Sequence, residues 1–402
     1  MGESVETGQP RLHSEITKLH IDKLVAGGDG LAFLGGRAVF IPLTLPDEDI
    51  VARIVLERRD YLRAELVSVV TASPDRVEPS CPLFGRCGGC NLQHCSPDAQ
   101  RRLKAGIVRE LFSRTSGVDF DAGPAGIAVE AGAAYGYRNR MQLHFDAEGR
   151  LGLSRRESNE VLAIPGCPVA VAGLDEWIGE RSYSTGLRGE MAPYLGNRDR
   201  FVAFGSGKKV WIEGQHARAT VEIGGQPISF PLGSFFQSNL ELLERLVPAV
   251  VEGFEGGRAA DLYAGVGLFG RFLAEKGSRV TLVEENAEAL ALARVNAKGP
   301  AHEYVHQSVD AWCRGPAARA DFDFLVVDPP RTGLSPGLAA WIVERKPPLV
   351  SYVSCDPVTL ARDAKALLSG GYRLESLRLF DFYPQTGHIE ALARFAWDGG
   401  GK

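Results

Sequence analysis

Apolar and polar positions alternate along the chain with two different spacings. Over residues 16–72 the apolar runs are short and are separated by Gly and Asp turns such as Gly27-Gly28-Asp29-Gly30, which predicts a small β-barrel. From about residue 234 onwards, strand patterns alternate with helix patterns, which predicts a parallel sheet with right-handed crossovers. Between these regions lie mixed strands and one amphipathic helix at residues 99–114.

The predicted fold is α/β with three domains, since 402 residues exceed the roughly 250–300 that one hydrophobic core usually serves. The C-terminal pattern predicts strands at residues 259–263, 280–284, 304–310, 322–327 and 349–353. The last two apolar runs, residues 373–382 and 389–397, have no helix between them and predict an antiparallel pair at one sheet edge. We expect an OB-like barrel at residues 15–73, a small mixed α/β central domain at 74–233 and a Rossmann-like sheet at 234–402.

The charge balance does not indicate a general polyanion-binding protein. The chain has 45 Lys and Arg against 50 Asp and Glu, a formal net charge of -5. Contact with a nucleic acid would therefore depend on local basic groups, and two occur, a helix with Arg101, Arg102, Lys104 and Arg109, and the pair Arg138 and Arg140. No apolar run reaches the roughly 18–20 residues that span a bilayer, so we expect a cytoplasmic protein without membrane contact.

Three polar motifs follow or begin predicted strands of the C-terminal sheet. They are Asp328-Pro329-Pro330-Arg331, Ser354-Cys355-Asp356-Pro357 and Thr386-Gly387-His388-Ile389-Glu390. Ligands of open α/β sheets bind in the crevice outside the carboxyl ends of the strands, where all three motifs can meet. A Glu at the start of an edge strand is usually solvated, but Gly387 permits a tight turn that would aim Glu390 into the crevice. The pattern predicts one site with two acids and a thiol.

A glycine motif in the same region indicates a nucleotide-like cofactor. Gly265, Gly267 and Gly270 follow a predicted strand that contains Asp261, and Glu284 ends the next strand, where its carboxylate can accept both hydroxyls of a ribose. NAD and other adenosine cofactors would use the same geometry. The glycine motif alone therefore leaves the cofactor open.

Cys355 favours a methyl transfer over a hydride transfer. A dehydrogenase needs no nucleophile at that strand end, and a lone Cys there is usually a small buried apolar residue. Carbon 5 of uracil, however, becomes nucleophilic only after a thiolate adds to carbon 6. With Asp328 and Glu390 nearby in the predicted crevice, Cys355 is a candidate for that thiolate.

Three closely spaced cysteines, Cys81, Cys87 and Cys90, form a C-x5-C-x2-C sequence with glycines between them. A cytosolic chain argues against disulfides, and such spacing is typical of a soft metal centre, either an iron–sulfur cluster or zinc. The fourth ligand would be Cys95 or Cys167.

Together these motifs, with Ser234-Phe235-Phe236-Gln237-Ser238-Asn239 and Asp261-Leu262-Tyr263-Ala264-Gly265, resemble the iron–sulfur-containing RNA uracil-5-methyltransferases. The resemblance runs from the barrel, which is similar to an RNA-binding TRAM domain, to the C-terminus. It implies the sheet of class I methyltransferases, S-adenosylmethionine as methyl donor and a [4Fe-4S] cluster. It assigns Cys355 as nucleophile and Glu390 as base, and it assigns cofactor contacts to Gln237, Tyr263, Glu284 and Asp328 and cluster ligands to Cys81, Cys87, Cys90 and Cys167.

The resemblance also implies that helix 99–114 packs on the catalytic domain, and Ala264 departs from it by replacing a residue that is often Cys. We expect a monomer that methylates structured RNA, with ribosomal RNA as the first choice of substrate and transfer RNA as the second. Two other functions compete with this one, an iron–sulfur oxidoreductase that uses NAD and a catalytically inert RNA-binding or chaperone protein.

Overall fold

The computed structural model describes residues 16–120 and 127–397. These residues form two compact units, the first within Met1–Ile107 together with Gln385–Gly387, and the second within Val108–Pro384 and His388–Lys402. Within the described residues, no helix is long and apolar enough to cross a membrane.

The first unit is built on a six-stranded sheet in the order β1-β5-β6-β4-β3-β2, which confirms the β-rich N-terminal region. Its strands are β1 (Ile16–His20), β2 (Lys23–Leu24), β3 (Gly30–Leu34), β4 (Arg37–Ile41), β5 (Asp49–Glu57) and β6 (Tyr61–Thr71). Every neighbouring pair is antiparallel except β4 and β6. Alternate residues such as Ile50, Ala52 and Ile54 point inward and are buried in one apolar core, as the period of two along a strand requires.

Turns rich in cysteine and glycine follow the sheet and lead into helix α1 (Pro97–Ser116). The first half of this helix packs its apolar residues, Ala99, Leu103 and Ile107, against Leu24 and Leu92 in the first unit. The helix predicted at residues 99–114 is therefore confirmed. Its expected packing on the catalytic domain stays a prediction.

The central region of the second unit has its own five-stranded sheet in the order β10-β9-β8-β11-β12 and a separate hairpin of β13 and β14. The strands are β7 (Ala128–Glu130), β8 (Arg140–Phe145), β9 (Leu151–Ser154), β10 (Val161–Ala163), β11 (Arg200–Ser206), β12 (Lys209–Ile212), β13 (Arg218–Ile223) and β14 (Gln226–Pro231), with helices α2 (Ala172–Arg181) and α3 (Leu187–Leu195). One element within the predicted central domain belongs elsewhere, because β7 pairs in parallel with a strand of the C-terminal sheet.

That C-terminal sheet has eight strands in the order β17-β16-β15-β18-β19-β21-β20-β7. Its remaining strands are β15 (Arg258–Leu262), β16 (Arg279–Glu284), β17 (Glu303–His306), β18 (Phe324–Val327), β19 (Leu349–Ser354), β20 (Tyr372–Phe380) and β21 (Glu390–Trp397). The helices are α4 (Leu240–Val250), α5 (Leu268–Glu275), α6 (Ala287–Asn296), α7 (Val309–Cys313), α8 (Pro336–Arg345) and α9 (Pro357–Ser369).

Strands β15 to β19 pair in parallel and β21 runs antiparallel to both neighbours, β19 and β20, so the predicted parallel sheet and antiparallel pair are confirmed. The pair was predicted to end the sheet, but the short strand β7 adds to it beyond β20. The central strands read as continuous apolar runs because both faces of the sheet are covered. One boundary was wrong. The strand predicted to reach Asp310 ends at His306, because the Ser308 side chain accepts the Ala311 N–H and starts helix α7.

Candidate active site

A cavity of about 560 Å³ opens at the carboxyl ends of the central strands in the second unit. It is lined by all six residues that the sequence assigns to catalysis and cofactor binding, namely Gln237, Tyr263, Glu284, Asp328, Cys355 and Glu390. This is the place where ligands bind in open α/β sheets. The structure thus brings together residues from six separate segments, whose individual roles stay predictions.

The glycine turn after β15 is shaped for close approach of a ligand. Tyr263, Gly265 and Gly267 have positive φ angles of 61°, 53° and 76°, so the backbone turns sharply at the mouth of the cavity. Glu284 fixes this turn, because one carboxylate oxygen accepts the Gly265 N–H at 2.9 Å and the other accepts the Asn286 N–H at 2.7 Å. The carboxylate is held at the cavity wall with lone pairs left for a ribose.

Three acids lie in and under the cavity, and none of them forms an ion pair with a basic side chain of the described residues. Asp261 is fully buried; its Oδ2 accepts the Gly270 N–H at 2.8 Å, and its Oδ1 has no hydrogen-bond partner. Burial, with smaller contributions from Asp328 and Glu284, raises the pKa of Asp261 to about 7. Burial also raises the pKa of Asp328 to about 7, and burial together with Asp328 raises the pKa of Glu390 well above its usual value.

Buried acids of this kind are stabilised in their charged form by a nearby cation. The sulfonium of S-adenosylmethionine carries such a charge, and its adenosine has the ribose that Glu284 is placed to accept. An unpartnered oxygen at Gln237, whose amide is buried at the cavity wall, adds a free acceptor. The donor and acceptor set therefore fits this cofactor.

Cys355 stands between strand β19 and helix α9, which begins with the cap residue Asp356. The Asp356 carboxylate accepts the N–H groups of Val358 and Thr359, so the helix starts immediately after the thiol and holds its backbone. Burial raises the pKa of the half-buried Cys355 thiol to about 11, as do Glu390 and Asp328, against a smaller opposing effect of Arg331. At neutral pH the free protein therefore holds a thiol rather than a thiolate.

Strand pairing explains why Cys355 and Glu390 share the cavity although 35 positions separate them. Strands β19 and β21 are antiparallel, with Val353 opposite Leu392 and Ser354 opposite Ala391. Continuing this register by one position places Cys355 opposite Glu390. That both residues line one cavity thus follows from the sheet rather than from either motif.

Gly387 is needed for a different reason from the one expected. Its φ is not positive, so no left-handed turn requires a glycine there. Within the first unit, a Cβ at Gly387 would lie 2.3 Å from the Gly27 carbonyl oxygen, and Asn91 Oδ1 accepts the Gly387 N–H at 2.8 Å. The glycine allows close approach of two backbones.

Some of the basic residues expected to contact RNA are instead buried or bonded within the protein. Lys104 is buried, and Arg102 pairs with Asp75 at 2.8 Å, so the basic helix offers less positive charge than its sequence indicates. In the second unit, Arg140 is partly buried and donates to the Ser234 carbonyl at 3.2 Å, next to the Phe235–Gln237 segment. Its neighbour Asn139, which is buried, accepts the Leu240 N–H at 2.9 Å.

Sequence reasoning missed one cavity residue, Tyr383, and gave no role to another, Arg331. Burial raises the pKa of the Tyr383 hydroxyl, as does Glu390, and Ser238 hydrogen-bonds to it. The chain reaches Tyr383 through a loop that Asn239 and Tyr137 hold by hydrogen bonds to the Phe382 and Pro384 carbonyls, at 3.1 and 2.8 Å. The available signal was that Tyr383 lies shortly before the Thr386–Glu390 motif. The residues that hold its loop, Asn239 and Tyr137, are more than 100 positions away in sequence.

The predicted cluster ligands are divided between the units, with Cys81, Cys87 and Cys90 in the first and Cys167 in the second. Among the residues that the structure describes, no group of three His, Cys, Asp or Glu side chains is arranged to hold a metal ion. The cysteine loop does place the Gly89 N–H 3.4 Å from the Cys87 sulfur. Cys95 is fully buried in the apolar core beside α1, where burial raises its thiol pKa to about 12.

The chain is similar to known methyltransferases. A family model described as tRNA (Uracil-5-)-methyltransferase matches residues 318–394, and one described as methyltransferase small domain matches residues 237–340. An uncharacterized RNA methyltransferase of Treponema denticola is 34% identical, over 96% of this chain and 99% of its own length. The 23S rRNA (uracil(1939)-C(5))-methyltransferase RlmD of Shewanella sediminis is 32% identical, over 96% and 97%.

Among solved structures, the Pyrococcus abyssi tRNA (uracil-54, C5)-methyltransferase in complex with S-adenosyl-L-homocysteine superposes with a TM-score of 0.70. The alignment covers 94% of this chain and 100% of that one, at 24% identity, and so supports the fold. The match to RlmD of Shewanella sediminis spans nearly the full length of both proteins at 32% identity. On these matches, and with its cofactor cavity, the chain belongs to the RNA uracil-5-methyltransferase family.

Proposed function

We propose that this protein methylates carbon 5 of a uridine in ribosomal RNA, with Cys355 as the nucleophile and Glu390 as the base. The observation that carries the proposal is the strand register that sets the thiol opposite the carboxyl in a cavity suited to a cationic cofactor. When bound, S-adenosylmethionine supplies an electrophilic methyl group.

The Cys355 sulfur adds to carbon 6 of the uracil, forming a carbon–sulfur bond and moving the electron pair of the 5,6 double bond into an enolate. Carbon 5 of this enolate takes the methyl group, whose bond to the sulfonium sulfur breaks and leaves its electron pair on that sulfur. Glu390 then removes the remaining proton from carbon 5, and the electrons of that bond restore the double bond and expel the Cys355 thiolate. At the end of the cycle the Cys355 thiolate is regenerated, and the proton from carbon 5 is held by Glu390.

The raised pKa values impose an order on these events. In the free protein both the Cys355 thiol and the Glu390 carboxyl hold their protons more tightly than usual, mainly because they are buried. A cation in the cavity favours the ionised form of each group. We therefore expect the reactive thiolate to appear after the methyl donor has bound, which protects the thiol from side reactions.

Ribosomal RNA is favoured over transfer RNA by the named relatives. The RlmD proteins of Shewanella sediminis and Photorhabdus laumondii, named as 23S rRNA methyltransferases, are 32% and 30% identical over 97% of their length. The tRNA enzyme of Pyrococcus abyssi is 24% identical. Mapping 5-methyluridine in both RNA classes from a deletion strain tests this choice, and loss of the modification from transfer RNA alone would reverse it.

Trapping of the covalent intermediate tests the mechanism. RNA with 5-fluorouridine at the target should remain attached to Cys355 after methyl transfer, because fluorine cannot leave as a cation. Glu390→Gln should form a similar methylated adduct with ordinary RNA, and Cys355→Ala should abolish both. Retention of NAD instead of S-adenosylmethionine by the purified protein would favour the oxidoreductase.

We also propose a [4Fe-4S] cluster on Cys81, Cys87, Cys90 and Cys167. The support is the cysteine spacing and the amide that faces the Cys87 sulfur, since such amides stabilise cluster sulfurs. Anaerobic protein should be brown and contain iron and acid-labile sulfide. Cys167→Ala should lose this iron and Cys95→Ala should retain it; stoichiometric zinc in colourless protein would contradict the cluster.

We further infer that the protein is a cytoplasmic monomer whose N-terminal sheet is a TRAM-like RNA-binding domain. The support for RNA contact is the exposed aromatic side chain of Phe33 on strand β3, beside the turn Gly35-Gly36. Phe33→Ala should weaken RNA binding and leave binding of the methyl donor unchanged. Light scattering of the purified protein tests the monomer.

A further inference from the structure

Helix α9, which begins directly after Asp356, holds the backbone of the loop that follows Asp328. Its side chains donate to three carbonyl groups of that loop: Thr359 Oγ1 to Arg331 at 3.2 Å, and Arg362 Nη2 to Thr332 at 2.8 Å and Leu334 at 3.2 Å. A loop normally satisfies such carbonyls with water or its own turns. Here one helix supplies the partners and thereby fixes the path of the loop.

Asp363 is the central group of this arrangement. Its side chain is buried, and its Oδ2 accepts both the Leu334 N–H at 2.7 Å and the Tyr352 hydroxyl at 2.8 Å. Its Oδ1 accepts the Arg362 Nε–H at 2.8 Å. Tyr352 belongs to strand β19 and precedes Cys355 by three positions. One carboxylate therefore joins the strand that ends at the thiol to the loop.

The close approach of the loop to the Asp363 carboxylate requires a glycine at position 333. Gly333 has a φ of +74°, and a Cβ there would lie 2.4 Å from Asp363 Oδ2. A side chain at that position would push the loop away from the carboxylate. The glycine and the buried acid are thus matched to each other.

The purpose of a fixed loop is apparent from what it presents to the cavity. Arg331, the first residue of the held segment, lines the cavity with Cys355. The other ionisable groups that line it are three acids, a thiol and two phenols, namely Glu284, Asp328, Glu390, Cys355, Tyr263 and Tyr383. Among the described lining residues, Arg331 alone is positively charged, so it is the lining side chain that can offset negative charge on the thiol or on the uracil enolate.

We propose that Asp363 is a positioning residue for the methyl-transfer reaction, which holds the 331–334 loop so that the Arg331 guanidinium stays beside the Cys355 sulfur. Asp363 does not touch the reacting atoms; it acts through Arg331. This inference rests on the proposed role of Cys355 as nucleophile.

The test measures thiol reactivity at Cys355 without RNA. The full-length protein is treated with iodoacetamide between pH 7 and 10, and the rate is followed by mass spectrometry of the Cys355 peptide. Arg331→Gln should slow alkylation at pH 8 by about threefold to tenfold, since one pKa unit corresponds to a tenfold change in thiolate fraction. Asp363→Ala should slow it by a similar factor, and Asp363→Asn, which retains an acceptor for Leu334 and Tyr352, by less.

The double variant separates positioning from general damage. If Asp363 acts through Arg331, Asp363→Ala combined with Arg331→Gln should be no slower than Arg331→Gln alone, because residues that act as a unit are not additive. The control is Asp146→Ala, which also removes a buried carboxylate that accepts backbone N–H groups, from Glu148 and Arg150, away from the cavity. Asp146→Ala should leave alkylation of Cys355 unchanged.

Additive effects in the double variant, or wild-type alkylation in folded Asp363→Ala and Asp363→Asn proteins, would overturn the inference. Trapping with 5-fluorouridine RNA is measured in parallel on the wild-type protein. Failure of Cys355 to be trapped would refute the proposed function while the alkylation result still reports on Asp363, so the two failures are distinguishable.

Discussion

Asp261 should destabilise the ligand-free protein, and the penalty should depend on pH. Its carboxyl is fully buried, one of its oxygens lacks a partner, and its pKa is raised by burial from 3.8 to about 7. The folded state therefore holds this proton more tightly than the unfolded state. Stability is unaffected below the unfolded pKa, falls as the pH rises from 3.8 to about 7, and carries the full penalty above that range.

The magnitude follows from the two pKa values. One pKa unit corresponds to about 1.4 kcal/mol, so the penalty reaches about 4 kcal/mol at pH 8 and is about 2 kcal/mol at pH 5. Asp261→Asn removes the charge and keeps an oxygen that can accept the Gly270 N–H. The variant should be more stable than the wild type by up to these amounts.

Urea unfolding of both proteins at pH 5 and pH 8, without ligand, measures the difference in the free energy of unfolding. Asp146→Asn is the control with opposite sign: burial raises the pKa of Asp146, but the Arg150 N–H and guanidinium outweigh this effect and lower it. That variant should be less stable at pH 8, with a loss that shrinks as the pH falls through the lowered pKa. A stability gain for Asp261→Asn that is the same at both pH values would refute the reasoning.

Three further outcomes are expected. In a single-turnover assay, Gly387→Ala should accumulate the methylated covalent adduct as Glu390→Gln does, because its Cβ would lie 2.3 Å from the Gly27 carbonyl oxygen. The control Gly106→Ala, whose Cβ would have nothing within 4 Å, should turn over normally. Glu284→Gln should weaken binding of S-adenosylmethionine by about tenfold in calorimetry, since hydrogen bonds to charged groups contribute about 1.5–3 kcal/mol. The control Glu288→Gln changes an exposed glutamate and should bind the methyl donor as the wild type does. Alkylation of Cys355 in the ligand-free protein should accelerate steadily from pH 7 to 9, because the thiol pKa is about 11, and a plateau near pH 7 would contradict the burial of that thiol.

The C-terminal sheet could be predicted because its strands are buried on both faces and therefore appear as apolar runs such as Phe324–Val327. The motifs at the strand ends were informative because the fold brings strand ends together. By contrast, β7 contains only three residues and joins the sheet beside β20, which lies far along the chain. No local pattern specifies such a pairing.

The supports of the site were missed for a similar reason. Asp363 lies on the buried face of helix α9, and its partners Leu334 and Tyr352 come from two other segments. Tyr137 and Asn139 flank Arg138, which with Arg140 was predicted to contact RNA, but both are buried and hold backbone groups of distant loops. A sequence pattern indicates that such a residue is polar, and only the folded chain shows which group it satisfies.

The charge of the cavity also bears on the choice between the two cofactors that the glycine motif left open. A dinucleotide would place a pyrophosphate, with two negative charges, beside the turn at Gly265. The described walls near that turn carry Glu284 and Asp328, with Asp261 buried behind them, and burial in low dielectric strengthens repulsion between like charges. Binding an anion there would raise the pKa values of Asp261 and Asp328 further. A sulfonium has the opposite sign, so the same acids that cost stability in the free protein become favourable partners when the methyl donor binds.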